Sequence, residues 1–200
     1  MHPNPAFRQT PPAAALSLAA ARGFGVLCVN GAEGPLAAHV PFEIADGFVG
    51  LHLARSNPIV RAGLPCPAVM IVSGPDAYVS PDWYGVPDQV PTWNYVAVHL
   101  RGTLEALPDA ALRPHLDRVS ANFEGRLAPK IPWVTDKMTE GVMNRMMRGI
   151  LPFRLVLGSV ESTVKLGQNK TEAARAAAAR GIAGAPLGLD AAGIARLMDG

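Results

Sequence analysis

The side chains best suited to chemistry crowd into one stretch, Ser73 to Arg101, SGPDAYVSPDWYGVPDQVPTWNYVAVHLR. It holds two of the three Trp and all three Tyr of a chain that is only 6% aromatic. Tyr78, Ser80, Trp83, Tyr84, Thr92, Trp93, Asn94 and Tyr95 are flat or hydrogen-bonding groups set close together. Such a set suits a planar ligand with polar edges, because a few placed polar groups fix its orientation on an apolar surface. The plainer reading is a barrel strand whose aromatics fill the core. Local density favours the ligand.

Elsewhere, cations stand beside turn residues. Arg55 precedes Ser56-Asn57, Lys165 precedes Gln168-Asn169, and Arg101 closes the aromatic stretch. Each could hold a phosphate, and Arg does so with a bidentate fork. Each alone also reads as a solvated surface charge. His39, His52, His99 and His115 are dispersed without metal-ligand spacing, so no metal site is expected. No G-x-S-x-G, H-E-x-x-H, P-loop or G-x-G-x-x-G motif occurs.

Composition narrows the class. The chain has 200 residues, 49% hydrophobic and 17% charged, which fits one globular domain with a proper core. A net charge of +2 is too small to argue for a nucleic-acid partner by electrostatics. No apolar run reaches the roughly 18 residues of a membrane helix, so no membrane association is expected. Cys28 and Cys66 read as reduced thiols of a cytoplasmic protein. Pro12 to Ala21 is Ala-rich and follows several prolines, so it reads as a short helix rather than a leader.

The elements that must position these groups are mostly strands. Thr92 to Arg101 alternates, with Trp93, Tyr95, Ala97, His99 and Arg101 on one face and Thr92, Asn94, Val96, Val98 and Leu100 on the other. Gly25–Val29, Leu36–Phe42, Phe48–Arg55, Ala68–Ser73 and Ala77–Ser80 read as further strands, with turns at Asn30-Gly31 and Asp46-Gly47. Pro41 marks an edge or an interrupted ladder. Asp82 to Pro91 reads as loop. Helices are expected over Leu112–Phe123 and Asp136–Ile150. Phe153–Lys165 is a last strand, and helices capped by Thr171 and Asp190 form a C-terminal extension. The sum is a mainly β, α+β fold, an antiparallel barrel with peripheral helices.

In this order the segments resemble the PaiB family, FMN-binding negative transcriptional regulators with a split-barrel fold. His39-Val40-Pro41-Phe42 resembles the family's T-H-L-P-F, and Leu51 to Pro58 resembles G-H-x-A-R-A-N-P. Ser73 to Tyr84 resembles G-P-x-A-Y-V-S-P-x-W-Y, and Val90 to His99 resembles V-P-T-W-N-Y-x-A-V-H. Lys165 to Lys170 resembles K-L-S-Q-N-R. The third and fourth are long and rich in rare residues. Ala38, Leu51 and Gly167 depart from the pattern, and the two lost hydroxyls predict weaker FMN binding.

The resemblance implies a homodimer with FMN in the groove between two barrels. Its motifs carry His39, Pro41, His52, Ala54, Arg55, Asn57, Ser80, Trp83, Thr92, Trp93, Asn94, Tyr95, Lys165, Gln168 and Asn169 as cofactor-binding candidates. Arg55 is the first choice for the phosphate and Lys165 the second. Trp93 and Tyr95 are expected beside the isoalloxazine, with Asn94 or Thr92 at its edge. A flavin supplies its own chemistry, so the missing acid–base motif is compatible with a flavin reductase-like enzyme. A haem-binding or haem-degrading barrel using His39, His52 or His99 is another reading. The resemblance also implies gene repression through DNA, yet the sequence carries no helix-turn-helix with a basic recognition helix.

Overall fold

The computed structural model describes Met1–Ala45 and Gly47–Asp199. Asp46 of the expected Asp46-Gly47 turn lies outside the described residues. Six strands form: β1 (Phe24–Gly31), β2 (Gly34–Ala45), β3 (Phe48–Ala54), β4 (Cys66–Val79), β5 (Thr92–Ala106) and β6 (Ile150–Lys165). Their order is β1-β2-β3-β6-β5-β4, closed as a barrel. The helices are α1 (Pro12–Arg22), α2 (Leu112–Gly125), α3 (Val142–Met147), α4 (Glu172–Gly184) and α5 (Ala191–Asp199). Two compact units divide the chain. The first comprises Met1–Leu18, Val72–His99 and Glu161–Gly200; the second comprises Ala19–Ile71 and Leu100–Val160.

In the second unit β1 pairs antiparallel with β2 from Phe24↔Pro41 to Gly31↔Gly34. The hairpin turn is therefore Ala32-Glu33, later than expected, because Asn30 is still in register with Pro35. Pro41 marks an interrupted ladder and not an edge. It is the last β2 residue opposite β1, and Phe42 begins the pairing with β3. A residue without an N–H fits at such a handover. Leu27, Val40, Phe42, Val49, Leu51, Leu53, Phe153 and Leu155 are all buried. Helix α2 buries Leu112, His115 and Val119, and Pro114 falls in its first turn, where no helical hydrogen bond is lost.

The continuous helix expected over Asp136–Ile150 does not form. A 3-10 turn covers Thr135–Lys137 and α3 is short. Gly141 lies between them at φ +76°, left-handed backbone that an α-helix excludes. Met146 is left 63% exposed, so the four-residue periodicity here was not a core stripe.

The two short strands expected around Gly74-Pro75 belong to the single strand β4, of which residues 72–79 lie in the first unit. A Cβ on Gly74 would meet the Val96 side chain at 2.9 Å, so the bare Cα allows that approach. Asn94, Val96 and Val98 are buried on one face of β5, as the alternation predicts. Helix α4 starts at Thr171, whose hydroxyl accepts from the Ala174 N–H at 3.3 Å. Asp190 does the same for the Gly193 N–H at 3.0 Å. Ala174, Ala178, Ile182, Ile194 and Met198 of these helices pack with Ala77, Val79 and Tyr84, and Trp83 lies against the cluster. Between the helices, the Asp76 and Tyr78 N–H groups of β4 donate to the Leu189 and Leu187 carbonyls, each at 2.8 Å. The Leu189 N–H returns a bond to the Asp76 carboxylate at 2.7 Å.

Two glycines of α4 separate packing from propensity. A Cβ on Gly181 would fall 2.3 Å from Trp83 Cγ, whereas Gly184 has open space around it. Alanine favours a helix by about 1 kcal/mol over glycine, and severe overpacking costs about 3. Gly181→Ala should therefore lower stability by about 2 kcal/mol, and Gly184→Ala should raise it by about 0.5 kcal/mol. Urea unfolding of the two variants reads the contrast.

Candidate functional site

The first unit contains a cavity of about 280 Å³. Three segments distant in sequence build it: the N-terminal arm, the start of β5 with the loop before it, and the turn that follows β6. The arm is fixed by a 3-10 turn, Pro5–Phe7, capped by the Asn4 side chain. The backbone N–H of His2 donates to Thr163 Oγ1 at 3.1 Å, and the His2 and Phe7 rings meet edge to face at 4.8 Å.

Two lysines enter this cavity. Lys165, at the end of β6, donates from Nζ to Thr92 Oγ1 and lies 5.9 Å from the centre of the Phe7 ring. Lys170 donates to Gln89 Oε1 and lies 5.5 Å from the centre of the Tyr84 ring. Among the described residues neither ammonium pairs with a carboxylate. Burial, and then the nearby charge of Lys170, hold Lys165 below the usual lysine range. Burial pushes the Tyr84 phenol up. Asn94, fully buried, also lines the cavity. Its Nδ2 donates to the Met198 sulfur at 3.2 Å, and its Oδ1 has no partner. A buried amide oxygen without a donor costs about 1–3 kcal/mol, so a ligand O–H or N–H there would be rewarded.

Of the sequence candidates, Thr92, Asn94, Lys165 and Asn169 share this cavity. Gln168 is exposed beside it and holds the turn, accepting from the Leu166 N–H at 2.8 Å and donating to the Val164 carbonyl at 2.6 Å. Trp93 and Tyr95 lie on the other face of β5. Trp93 is 46% exposed, and Tyr78 meets it edge to face at 6.1 Å. Ser80 begins the 3-10 turn Pro81–Tyr84. Trp83 packs on Gly181 and the helical core, so its ring serves the fold.

The remaining candidates belong to the second unit. His39 is exposed on β2, stacked at 6.2 Å on Phe24, which is opposite Pro41 in register. Ala54 is exposed at the end of β3. The Asn57 side chain accepts from the Ile59 N–H at 3.0 Å and caps a 3-10 turn. Arg55 is already engaged: its Nε donates to the Arg148 carbonyl at 2.7 Å, and an Nη lies 3.5 Å from Asp109. His52, half-buried, joins a chain of polar groups. Its Nδ1 is 3.1 Å from His115 Nε2, and His115 Nδ1 is 2.9 Å from Glu43 Oε1. Arg118 donates to both Glu43 oxygens, at 2.9 Å from Nε to Oε2 and 2.7 Å from Nη2 to Oε1. Burial alone would push Glu43 up, but the hydrogen bonds from Arg118 and His115 outweigh it and hold the carboxyl below the usual range. Burial, and then His115, hold His52 below the usual histidine range. Among the described residues no three His, Cys, Asp or Glu side chains are placed to hold a metal ion.

Sequence reasoning singled out Tyr84 in the aromatic stretch but missed Lys170, Gln89 and Phe7 as cavity groups, and Glu43, His115 and Arg118 as partners of His52. Lys170 closes a segment already singled out, and Phe7 is the one aromatic in a polar arm. Glu43 and Arg118 carried no local signal. The three departures from the motif pattern have backbone or packing reasons. Gly167 sits at φ +76°, where a serine would be strained. Ala38 and Leu51 are buried.

Residues 1–159 match the family described as "Putative FMN-binding domain". The chain is 30% identical over 154 residues to the protease synthase and sporulation protein PAI 2 of Bacillus subtilis, covering 74% of this chain and 73% of that protein. Among solved structures it is similar to the FAD and haem binding protein of Mycobacterium smegmatis, with a TM-score of 0.59 and 19% identity over 92% of this chain and 82% of that one. It is also similar to the flavocytochrome Anf3 of Azotobacter vinelandii, with a TM-score of 0.59 and 14% identity over 80% and 70% of the two chains. At these identities the structures speak for the fold, a split barrel with peripheral helices. The family match and the Bacillus relative speak for descent: this chain belongs to the PaiB family of FMN-binding split-barrel proteins.

Proposed function

We propose that the chain anchors FMN through Lys165 and Lys170, with the phosphate taking the place of the counter-ion these two ammonium groups lack. The observation that carries this reading is their convergence in one cavity with the unpartnered Asn94 oxygen. Two like charges held partly out of water repel, and a dianion between them reverses that cost. The Asn94 oxygen can accept from a ribityl hydroxyl. At about 280 Å³ the cavity lies just below the usual small-molecule range of roughly 300–1,000 Å³, so it suits the phosphate and sugar-like chain rather than the whole nucleotide. Arg55 becomes the second choice, because internal partners already occupy its fork. Both lysines lie beyond the segment matched by the family model, and this part of the assignment is supported by the geometry and by the resemblance of residues 165–170 to K-L-S-Q-N-R.

Bound flavin would supply the electron chemistry, and the protein would orient it. We read the chain as a flavin-dependent redox or regulatory protein that works as a homodimer. The exposed Trp93 with its neighbours Tyr78 and Tyr95 is the surface we assign to a flavin ring or a second copy. Free Cys28 and Cys66 support a cytoplasmic setting, and no described helix is long and apolar enough to cross a membrane. Regulation would act through the flavin or the dimer rather than a DNA-reading helix. On α2, Arg113 is spent on Asp117 and Arg118 on Glu43.

Lys165→Met should weaken FMN binding by about 10–100-fold, the worth of a charge-assisted hydrogen bond, and leave riboflavin nearly unchanged. Arg55→Ala should cost FMN less. Flavin fluorescence quenching measures all three, and equal losses of FMN and riboflavin in Lys165→Met would sink the anchor. FMN should also tighten the dimer, because a ligand of the assembled site draws the equilibrium toward it. Sedimentation at falling protein concentration, with and without FMN, would expose a monomer that binds equally well.

A further inference from the structure

The second unit holds an arrangement that the flavin reading does not use. Arg118, Glu43, His115 and His52 form an unbroken hydrogen-bonded chain from α2 to β2, back to α2 and on to β3. His115 is 3% exposed, and the side chain of Glu43 is 11% exposed. Burying two titratable groups costs several kcal/mol unless each is paired, and here each is. The backbone makes room for them: a Cβ on Gly50 would meet Glu43 Oε1 at 3.0 Å and His115 Nδ1 at 3.4 Å. The Glu43–Arg118 pair already ties α2 to the sheet, beside the packing of Leu112 and Val119. Two histidines in series, the outer one half-buried, go beyond that.

The direction of the chain fixes the protons. Arg118 keeps Glu43 an ionised acceptor, so His115 Nδ1 carries the hydrogen. When that is the one hydrogen on His115, its Nε2 is the acceptor for His52 and His52 Nδ1 is the donor. The far nitrogen of His52, Nε2, is left with a lone pair and has no partner among the described residues. We propose that His52 Nε2 is a proton-accepting site for a neutral ligand bearing a weakly acidic O–H or N–H, with His115, Glu43 and Arg118 as positioning residues. In that step the ligand's O–H or N–H bond breaks and its proton joins His52 Nε2. The His52 Nδ1 proton passes to His115 Nε2, and the positive charge comes to rest beside the Glu43 carboxylate. The ligand keeps the electron pair. The charged groups of this chain are Glu43 from β2 and Arg118 from α2; no other ion pair enters it among the described residues. The depressed pKa of His52 agrees with a neutral ring near pH 7. The site belongs to the second unit and does not depend on where FMN binds.

The tautomer is observable without any ligand. Nitrogen-15 correlation spectra of the imidazoles, with His52 assigned by its loss in His52→Gln, are recorded at about pH 7.5, above the ordinary histidine pKa of ~6.5. A single Nδ1–H tautomer at His52 is expected. Glu43→Gln should lose that single pattern, although the substitution does not touch His52. Glu43→Asp should keep it in part. A wild-type His52 carrying its proton on Nε2 overturns the proposal, as does a pattern unchanged in Glu43→Gln. Should Glu43→Gln not fold, Gly50→Ala crowds the same pair from the backbone side and is read in the same way.

Discussion

The fold rests on the register of β5. Its two-residue period puts Asn94, Val96, Val98 and Leu100 inside and Trp93, Tyr95 and Arg101 outside. A slip of one residue would exchange those sets, sending an indole and a guanidinium into the core. Something must prevent it over a strand of 15 residues. One pin is the approach of β5 to β6 at Gly102, where a Cβ would come within 1.8 Å of the Val156 carbonyl oxygen. Only glycine fits there, so only one residue of β5 can occupy that point. Gly74, pressed against Val96, is a second pin on the other neighbour, β4. The first is a contact of backbone with backbone and the second of backbone with a side chain, and hydrophobic pattern alone would not supply either.

This explains which parts of the protein were legible in the sequence. The strands, the caps at Thr171 and Asp190, and the two faces of β5 follow from local periodicity and local chemistry. The faces were read correctly, and Asn94, expected at a ligand's edge, lies fully buried in the cavity wall with one atom unsatisfied. The α3 region failed because an apolar spacing of four was counted without weighing Gly141. The site was harder for a different reason. Arg55 looked like an unattached cation, and its partner Arg148 lies 93 residues away. Lys170 closed a quoted segment with nothing local to mark it as a cavity group, and its partner Gln89 is 81 residues away. Whether a cation is spent or available depends on contacts that no window of sequence contains.

The two units treat charge in opposite ways. In the second, Glu43 is surrounded by donors, and every polar atom facing it has an answer. In the first, among the described residues, Lys165 and Lys170 are answered by neutral oxygens and by aromatic faces. Cation–ring contacts at such distances offer about 0.5–2 kcal/mol each, less than a dianion gives. The Glu43 chain is closed at its Arg118 end and open at His52, whereas the lysine pair is poised for a charge it does not contain.

The bonds from Asp76 and Tyr78 to the Leu187–Leu189 segment bear on where this protein ends as a folding unit. The match to the family model ends at residue 159, within β6. The hydrogen-bond ladder does not. Leu187 and Leu189 cover a part of β4 that β1 has already left, since the β1 register ends at Ile71. A chain shortened to the family boundary would lose the end of β6 and leave backbone donors of β4 bare, the kind of open strand edge that recruits other chains. The boundary set by descent and the boundary set by backbone satisfaction are thus different lines, and the helical tail lies on the protein's side of the second.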